Sequence, residues 1–184
     1  GVQDACVSDQ LHACGFRGVD CGLVLGETHA AKIICGNQHQ LLDASDQTTM
    51  DRPDAPDLTA WSLHGRLHAA LPQARCIIHL HPPYATAIAS LADPDIPPID
   101  QNTARFYNRV AFDLDYGGMA NSDAEGDRLA RLMGNKQIMM MGNHGILVCA
   151  ASVAEAYDLA YYLERACRTL VLARQTGQPL SNVS

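Results

Sequence analysis

Two apolar runs near the end of the sequence are separated by only three residues. The runs are QIMMM (137–141) and GILVC (145–149), and the first three positions after Met141 are Gly142, Asn143 and His144. Short apolar runs bounded by turn residues are typical of buried strands. Glycine permits the backbone conformations that a tight connection needs. The sequence therefore predicts two buried strands joined by a tight turn that presents His144 outward.

The rest of the chain alternates between helical and strand patterns. Helices are predicted over 58–70, 84–91, 103–109, 122–132 and 153–176, with a further one over 2–14. Strands are predicted over 21–26, 31–35, 76–81 and 110–116, with a turn at 36–37 and a loop over 43–56. This alternation predicts an α/β fold. We expect one domain over 1–184, in which 1–50 is the least distinct part and 177–184 is a polar tail.

Composition argues against several classes of protein. The chain has 184 residues, a net charge of -7 and only 13 lysines and arginines, which form no cluster. Nucleic acids and anionic membranes both attract clustered basic residues, so neither is an expected partner. No apolar run approaches the length of a membrane span, and the first residues lack the features of a signal peptide. The seven cysteines include no C-x-x-C pair, which predicts reduced, partly buried thiols in a cytoplasmic protein.

Three histidines stand where a metal site could form. His79 and His81 end the strand predicted over 76–81, and side chains two residues apart in a strand project to the same side. Leu80 would then point into the core. This pair fits metal ligands, but it also fits two histidines bonded to backbone at a sheet edge. His144 adds a third imidazole, although Asn143 and His144 could merely tolerate a left-handed turn. Three imidazoles leave one position of a tetrahedral ion open, as in catalytic zinc sites.

The order of three segments resembles one known family. HLHPPYATAIASL (79–91), GNHGILV (142–148) and SVAEAYDLAYYLERA (152–166) are together similar to the class II aldolase/adducin family, over about residues 57–176. The resemblance implies a three-layer α/β/α fold with a central, largely antiparallel sheet. It implies that His79, His81 and His144 bind one divalent ion, usually zinc, with manganese, cobalt or iron as alternatives. It also implies a homotetramer with sites at subunit interfaces.

The helix before the H-x-H pair departs from the family pattern. Family aldolases carry a catalytic glutamate four residues before the helix histidine that corresponds to His64, and this chain has Ala60 there. Alanine cannot transfer a proton, so the usual base is missing. Asp57 could replace it, although it also suits a helix cap. His68 could act as the base or could simply pack inside the protein.

Other residues have open assignments of the same kind. Tyr84 could donate a proton to a developing oxyanion or could pack in the core. His64 and Asn143 are candidates for substrate binding, whereas Glu164 suits an ion pair on the helix surface. Only Gly36 and Asn37 weakly match the family's phosphate-binding residues. The sequence is therefore closer to adducin-like bacterial members than to sugar-phosphate aldolases.

Three functions remain open at this point. The first is a metal-dependent lyase of the aldolase or decarboxylase type, which acts on a small carbonyl, hydroxy-acid or sugar-derived substrate through a metal-stabilised enediolate. Decarboxylation needs no base to begin, which suits Ala60. The second is a non-catalytic, adducin-like scaffold. The third is an Fe(II) oxygenase, although such enzymes more often use two histidines and a carboxylate.

Overall fold

The protein was analysed as a computed structural model, which describes residues 22–27, 30–35, 38–43, 46–56, 58–115 and 122–183. For the strands within 22–43 the description is limited to the backbone. The predicted helix over 2–14, the turn at 36–37 and Asp57 lie outside the described residues.

Seven strands and five α-helices make up the described part of the chain. The strands are β1 (Gly22–Glu27), β2 (Ala30–Cys35), β3 (Gln38–Asp43), β4 (Cys76–Leu80), β5 (Val110–Asp113), β6 (Ile138–Met141) and β7 (Gly145–Ala150). The helices are α1 (Leu58–Ala70), α2 (Pro83–Ala89), α3 (Gln101–Phe106), α4 (Asp123–Met133) and α5 (Val153–Gln175). A short 3-10 helix (Gln47–Asp51) lies within the predicted loop.

The strands form one sheet in the order β3-β2-β1-β4-β7-β6-β5. Its neighbours pair antiparallel except for β5 and β6, which run parallel. A parallel pair needs a crossover connection, and the chain between β5 and β6 includes α4. The sheet is therefore largely antiparallel, as predicted.

Side-chain alternation in the central strands separates two apolar layers. In β7, Ile146 and Val148 belong to a core that includes residues of α2, α3 and α5, whereas Leu147 belongs to one built with α1 and α4. In β4, Leu80 lies in the first core and Ile77 in the second. Both sheet faces are thus covered by helices, which confirms the predicted three-layer α/β/α fold. His79 shares its strand parity with Ile77, so it projects toward the α1 side.

Several element boundaries differ from the prediction. Strand β3 was not predicted, because its sequence QHQLLD begins with three polar residues. Strand β4 ends at Leu80, so His81 lies just beyond it. Strand β5 ends at Asp113, and Leu114 is exposed.

The buried Asp113 carboxylate is satisfied by a bidentate ion pair with Arg128, at 2.9 and 2.6 Å.

The cysteines and the apolar character of the helices were both subjects of prediction from composition. Cys76, Cys149 and Cys167 are buried free thiols, as expected of small hydrophobic residues. In the part of the chain that the structure describes, no helix combines the length and apolar character needed to cross a membrane.

Candidate metal centre

The three predicted histidine ligands lie together at one end of the central strands. The Nε2 atom of His79 lies 3.0 Å from Nε2 of His81 and 3.3 Å from Nε2 of His144. Two nitrogens held by one tetrahedral ion at about 2.0–2.1 Å lie roughly 3.3–3.4 Å apart. These two distances fit a shared ion, and the three ligand nitrogens all lie within 4.8 Å of one another. Among the described residues, this cluster contains imidazoles alone and no carboxylate or thiol.

A backbone hydrogen bond orients the central imidazole. Nδ1 of His79 lies 2.9 Å from the carbonyl oxygen of Ile146. A carbonyl can only accept, so Nδ1 carries the proton and Nε2 presents its lone pair to the other two rings. Such a bond to the distal ring nitrogen is typical of histidines that bind metals.

Burial keeps two of the three imidazoles in the neutral form that binds metal. Burial, followed by the nearby His144 and His81, lowers the pKa of His79 to about 3. Burial and then His81 also lower the pKa of His144. At neutral pH both imidazoles are therefore uncharged, as ligation requires. His81 is exposed and His144 is half-buried, so the cluster is open to solvent on one side.

The turn that carries His144 is held by three backbone hydrogen bonds. The Gly142 amide donates to Asp113, the Asn143 amide to Ala89, and the His144 amide to Met141, at 2.7, 3.2 and 3.1 Å. Asn143 has a φ of 55°, the left-handed conformation that the alternative interpretation of this turn required. Its side chain is exposed beside His144. The turn thus contains a left-handed residue, Asn143, and also places the His144 imidazole in the histidine cluster.

Tyr84 lies at the first turn of α2, just after the two prolines. Its ring packs against the α5 side of the core, and the Arg168 guanidinium lies 5.7 Å from the ring centre. Glu164 of α5 accepts hydrogen bonds from the Tyr84 and Ala85 amides, at 3.0 and 2.8 Å. Glu164 therefore caps α2, a role different from the predicted surface ion pair. Desolvation raises the pKa of its carboxyl, while the two amides and Arg168 oppose that effect.

The two histidines of α1 differ in burial, because His64 is buried and His68 is half-buried. His64 is 1% exposed, and burial, followed by His68 and His79, lowers its pKa well below the usual range. Its Nδ1 has no hydrogen-bond partner among the described residues, and the same holds for Nε2 of His68. Burial lowers the pKa of His68 to about 4, against a backbone hydrogen bond to Ala74. Ala60 is also buried on this helix. The chain thus brings His64 close to His79 without exposing it.

Three contributions to the site were missed by the sequence analysis. They are the Ile146 carbonyl that orients His79, the Ala89 carbonyl that holds the turn, and the Glu164 cap. Backbone acceptors leave no signal in a sequence. The cap had a weak signal, because Pro82 and Pro83 begin a helix without any side chain able to cap it. A helix of that kind requires an acceptor from elsewhere in the fold.

Several known proteins are similar to this chain. The family model described as Class II Aldolase and Adducin N-terminal domain matches residues 21–171. Human beta-adducin is 32% identical over 128 residues, which are 69% of this chain and 17% of that protein. Decarboxylase NovR of Streptomyces niveus is 27% identical over 143 residues, which are 75% of this chain and 51% of that protein. The chain spans 60% of a Pseudomonas aeruginosa relative that is named for the class 2 aldolases.

A solved structure supports the fold. The crystal structure of an aldolase II superfamily protein from Pseudomonas syringae superimposes with a TM-score of 0.82 at 22% identity, covering 100% of this chain and 79% of that one. The match of the family model to most of the chain confirms the resemblance inferred from the three segments. The chain belongs to the class II aldolase and adducin family.

Proposed function

We propose that this protein is a metal-dependent carbon–carbon lyase that acts on a small carbonyl, hydroxy-acid or sugar-derived substrate. The observation that carries the proposal is the convergence of three Nε2 atoms, with His79 held in the ligating tautomer by Ile146. The residues that would hold the ion are His79, His81 and His144, and zinc is the ion that suits three imidazoles best. When bound, such an ion supplies a Lewis acid that polarises a substrate oxygen.

Within this class, decarboxylation fits the chain better than aldol cleavage. Aldol cleavage begins with removal of a hydroxyl proton, and Ala60 cannot act as the base. Loss of carbon dioxide from a carboxylate begins without a base and needs only a later proton donor. The similarity to decarboxylase NovR supports the same choice.

Four further residues are proposed to bind substrate or to transfer protons. Asn143 is exposed beside His144 and is well placed to bind substrate. Tyr84 and His68, which are both half-buried, are the proposed proton donors or acceptors. His64 could contact a substrate only if its buried ring became accessible.

Two other functions have some support. The similarity to human beta-adducin and the presence of Ala60 favour a non-catalytic scaffold. A protein named 4-hydroxy-3-prenylphenylpyruvate oxygenase/4-hydroxy-3-prenylbenzoate synthase, from Streptomyces roseochromogenus, is 28% identical over 141 residues and favours iron-dependent oxygenation. The convergence of three imidazoles weighs against the scaffold, and the all-histidine donor set weighs against the oxygenase.

Elemental analysis of the purified protein is the first test of the proposed function. We expect about one divalent ion per chain, which the His79→Ala variant and the His79→Ala/His81→Ala variant should lose. His39→Ala is the matched control, because His39 lies on β3, three strands from β4 and therefore roughly 14 Å away. A wild-type protein that neither contains nor takes up zinc, manganese, cobalt or anaerobic iron would support the scaffold instead.

Activity then separates the candidate reactions. Keto acids and hydroxy acids should be screened for release of carbon dioxide, for release of an aldehyde, and for consumption of oxygen. We expect release of carbon dioxide without oxygen consumption, abolished together with the metal in His79→Ala. Activity that survives in the metal-free variant would contradict the proposed role of the ion.

We also propose that the protein is a cytoplasmic homo-oligomer, with a tetramer as the expected state from the family resemblance. The exposed side of the histidine cluster leaves room for a neighbouring subunit to complete the site. Light scattering after gel filtration should give a mass of about 79 kDa, four times the chain mass of 19.8 kDa. A mass near that of one chain would contradict the tetramer.

A further inference from the structure

The N-terminus of α2 has an unusual cap that comes from another helix. Pro82 offers no capping side chain, and Pro83, the first helical residue, has no amide proton to satisfy. The Thr86 amide donates to the Pro82 carbonyl. The amides of Tyr84 and Ala85 would otherwise have no partner, and both donate to Glu164. One carboxylate of α5 therefore satisfies the whole exposed start of α2.

The C-terminal end of α2 contacts the second ligand segment. The carbonyl of Ala89, the last residue of α2, accepts the amide of Asn143, which directly precedes His144. The first turn of α2 follows His81 through the two prolines, whose rings restrict the backbone. Helix α2 thus connects the segments that carry two of the three imidazoles, and Glu164 anchors it to α5.

The ring of His81 depends on this connection more than the other two rings do. His79 lies within β4 and is bonded to Ile146, and His144 lies in a turn with three backbone hydrogen bonds. His81 follows the end of β4, and its ring is exposed. Its position is therefore set by the strand on one side and by the anchored helix on the other.

We propose that Glu164 is a positioning residue for the metal centre, which acts through α2 to hold His81 and His144 at the spacing that an ion requires. This inference rests on the proposed metal-binding function. Glu164 is not one of the proposed ligands, and it lies 80 positions from Tyr84 in the sequence. Under this proposal it nevertheless contributes measurably to the metal affinity. Outer-shell partners of metal ligands commonly contribute about 10- to 100-fold to affinity.

The test compares Glu164→Gln with a matched variant of the same helix. Glu155 also accepts a backbone amide, that of Ala151 at 3.0 Å, and it bonds to Gln137. Ala151 follows the end of β7 that is remote from His144. Glu155→Gln thus makes the same chemical change to a similar bond away from the cluster. Each full-length protein should be titrated with Co²⁺ and Zn²⁺, and the visible spectrum of bound Co²⁺ should be recorded.

We expect Glu164→Gln to weaken metal binding about 10- to 100-fold and to alter the Co²⁺ spectrum, whereas Glu155→Gln leaves both unchanged. Glu164→Asp retains the charge with a shorter reach and is the second variant to use if Glu164→Gln folds poorly. Its metal affinity should lie between that of the wild type and that expected of Glu164→Gln. Wild-type affinity and spectrum in the Glu164 variants would overturn the positioning role and leave the proposed function intact. A wild-type protein that binds neither ion would overturn both.

Discussion

At the residue scale, Gly145 allows the two ligand segments to approach each other. A Cβ atom at this position would lie 2.4 Å from the Leu80 carbonyl oxygen and 2.5 Å from Cδ2 of His81. The first of these is a backbone atom of the central sheet and cannot move aside cheaply. The absence of a side chain at Gly145 is therefore a condition for the observed contact between the rings.

The variant Gly145→Ala should consequently lose both stability and metal affinity. We expect the free energy of unfolding to fall by about 1–3 kcal/mol, as for other overpacked sites, and zinc affinity to fall at least tenfold. Urea denaturation and zinc titration measure the two effects. The control is Gly177→Ala, where φ is 69° and no atom lies within 4 Å; it should cost about 1 kcal/mol and leave zinc binding unchanged. Unaltered zinc affinity in Gly145→Ala would show that the close approach is unnecessary.

Desolvation of the half-buried His68 ring should make stability depend on pH. Its pKa is about 4 in the folded protein, against 6.5 when unfolded. Between these values the unfolded chain binds a proton that the folded protein excludes, so the free energy of unfolding falls as pH falls from 6.5 toward 4. Titration of His68 lowers the free energy of unfolding by about 3 kcal/mol over this range. Above pH 6.5 the stability that depends on the neutral ring is fully present.

Replacement of this ring tests the linkage. Between pH 6.5 and 4, the free energy of unfolding should fall by about 3 kcal/mol less in metal-free His68→Phe than in metal-free wild type. Urea denaturation at each pH measures the difference. Parallel curves for wild type and His68→Phe would contradict the assignment.

At the element scale, α1 and α4 pack closely because Gly126 has no side chain. A Cβ at Gly126 would lie 2.6 Å from the Ser62 carbonyl oxygen and 2.7 Å from Cβ of Arg66. Arg66 also forms a bidentate ion pair with Asp127, at 2.8 and 2.9 Å. The helix α1 that is packed in this way also carries the buried His64.

The packing contact should matter more than the ion pair. Gly126→Ala improves helix propensity by about 1 kcal/mol, but the clash should outweigh this gain and give a net loss of about 1–3 kcal/mol. Asp127→Ala should cost less than about 1 kcal/mol, because both charged groups are more than one-third exposed. Thermal denaturation of the two variants distinguishes the effects. A greater loss in Asp127→Ala would reverse this ranking.

At the scale of the whole molecule, the histidine cluster joins distant parts of the chain. His79 and His144 are 65 residues apart, and they lie at the same end of β4 and β7, which pair side by side. The unfolded chain does not hold them together, so an ion that binds the cluster should stabilise the fold as a whole.

Removal of metal should therefore lower the melting temperature. At a free zinc concentration 100 times Kd, the stabilisation is about 2.7 kcal/mol, which corresponds to roughly 5–10 °C for a protein of this size. Calorimetry with zinc and with a chelator measures the difference. The His144→Ala variant should show a much smaller shift. An equal shift in that variant would place the zinc elsewhere.

The sequence by itself determined most of the elements and which three histidines form the candidate site. Helix α1 begins and ends as predicted, and α5 is predicted to within one residue, because their apolar periodicity and end signals are local. The H-x-H and N-H-G segments also identified three imidazoles, whose convergence the structure confirms. Strand β3 was not predicted because its sequence begins with polar residues. It forms a strand through pairing with β2, which is a non-local interaction.

Only the tertiary structure decided how the site is held together. The parallel pairing of β5 with β6 puts Asp113 beside the His144 turn, and no local pattern encodes it. The carbonyls of Ile146 and Ala89 are backbone atoms, which every residue type provides equally. Glu164 meets α2 across about 80 residues of sequence. Local sequence patterns specify which side chains are present, whereas long-range backbone hydrogen bonds set the distances between them.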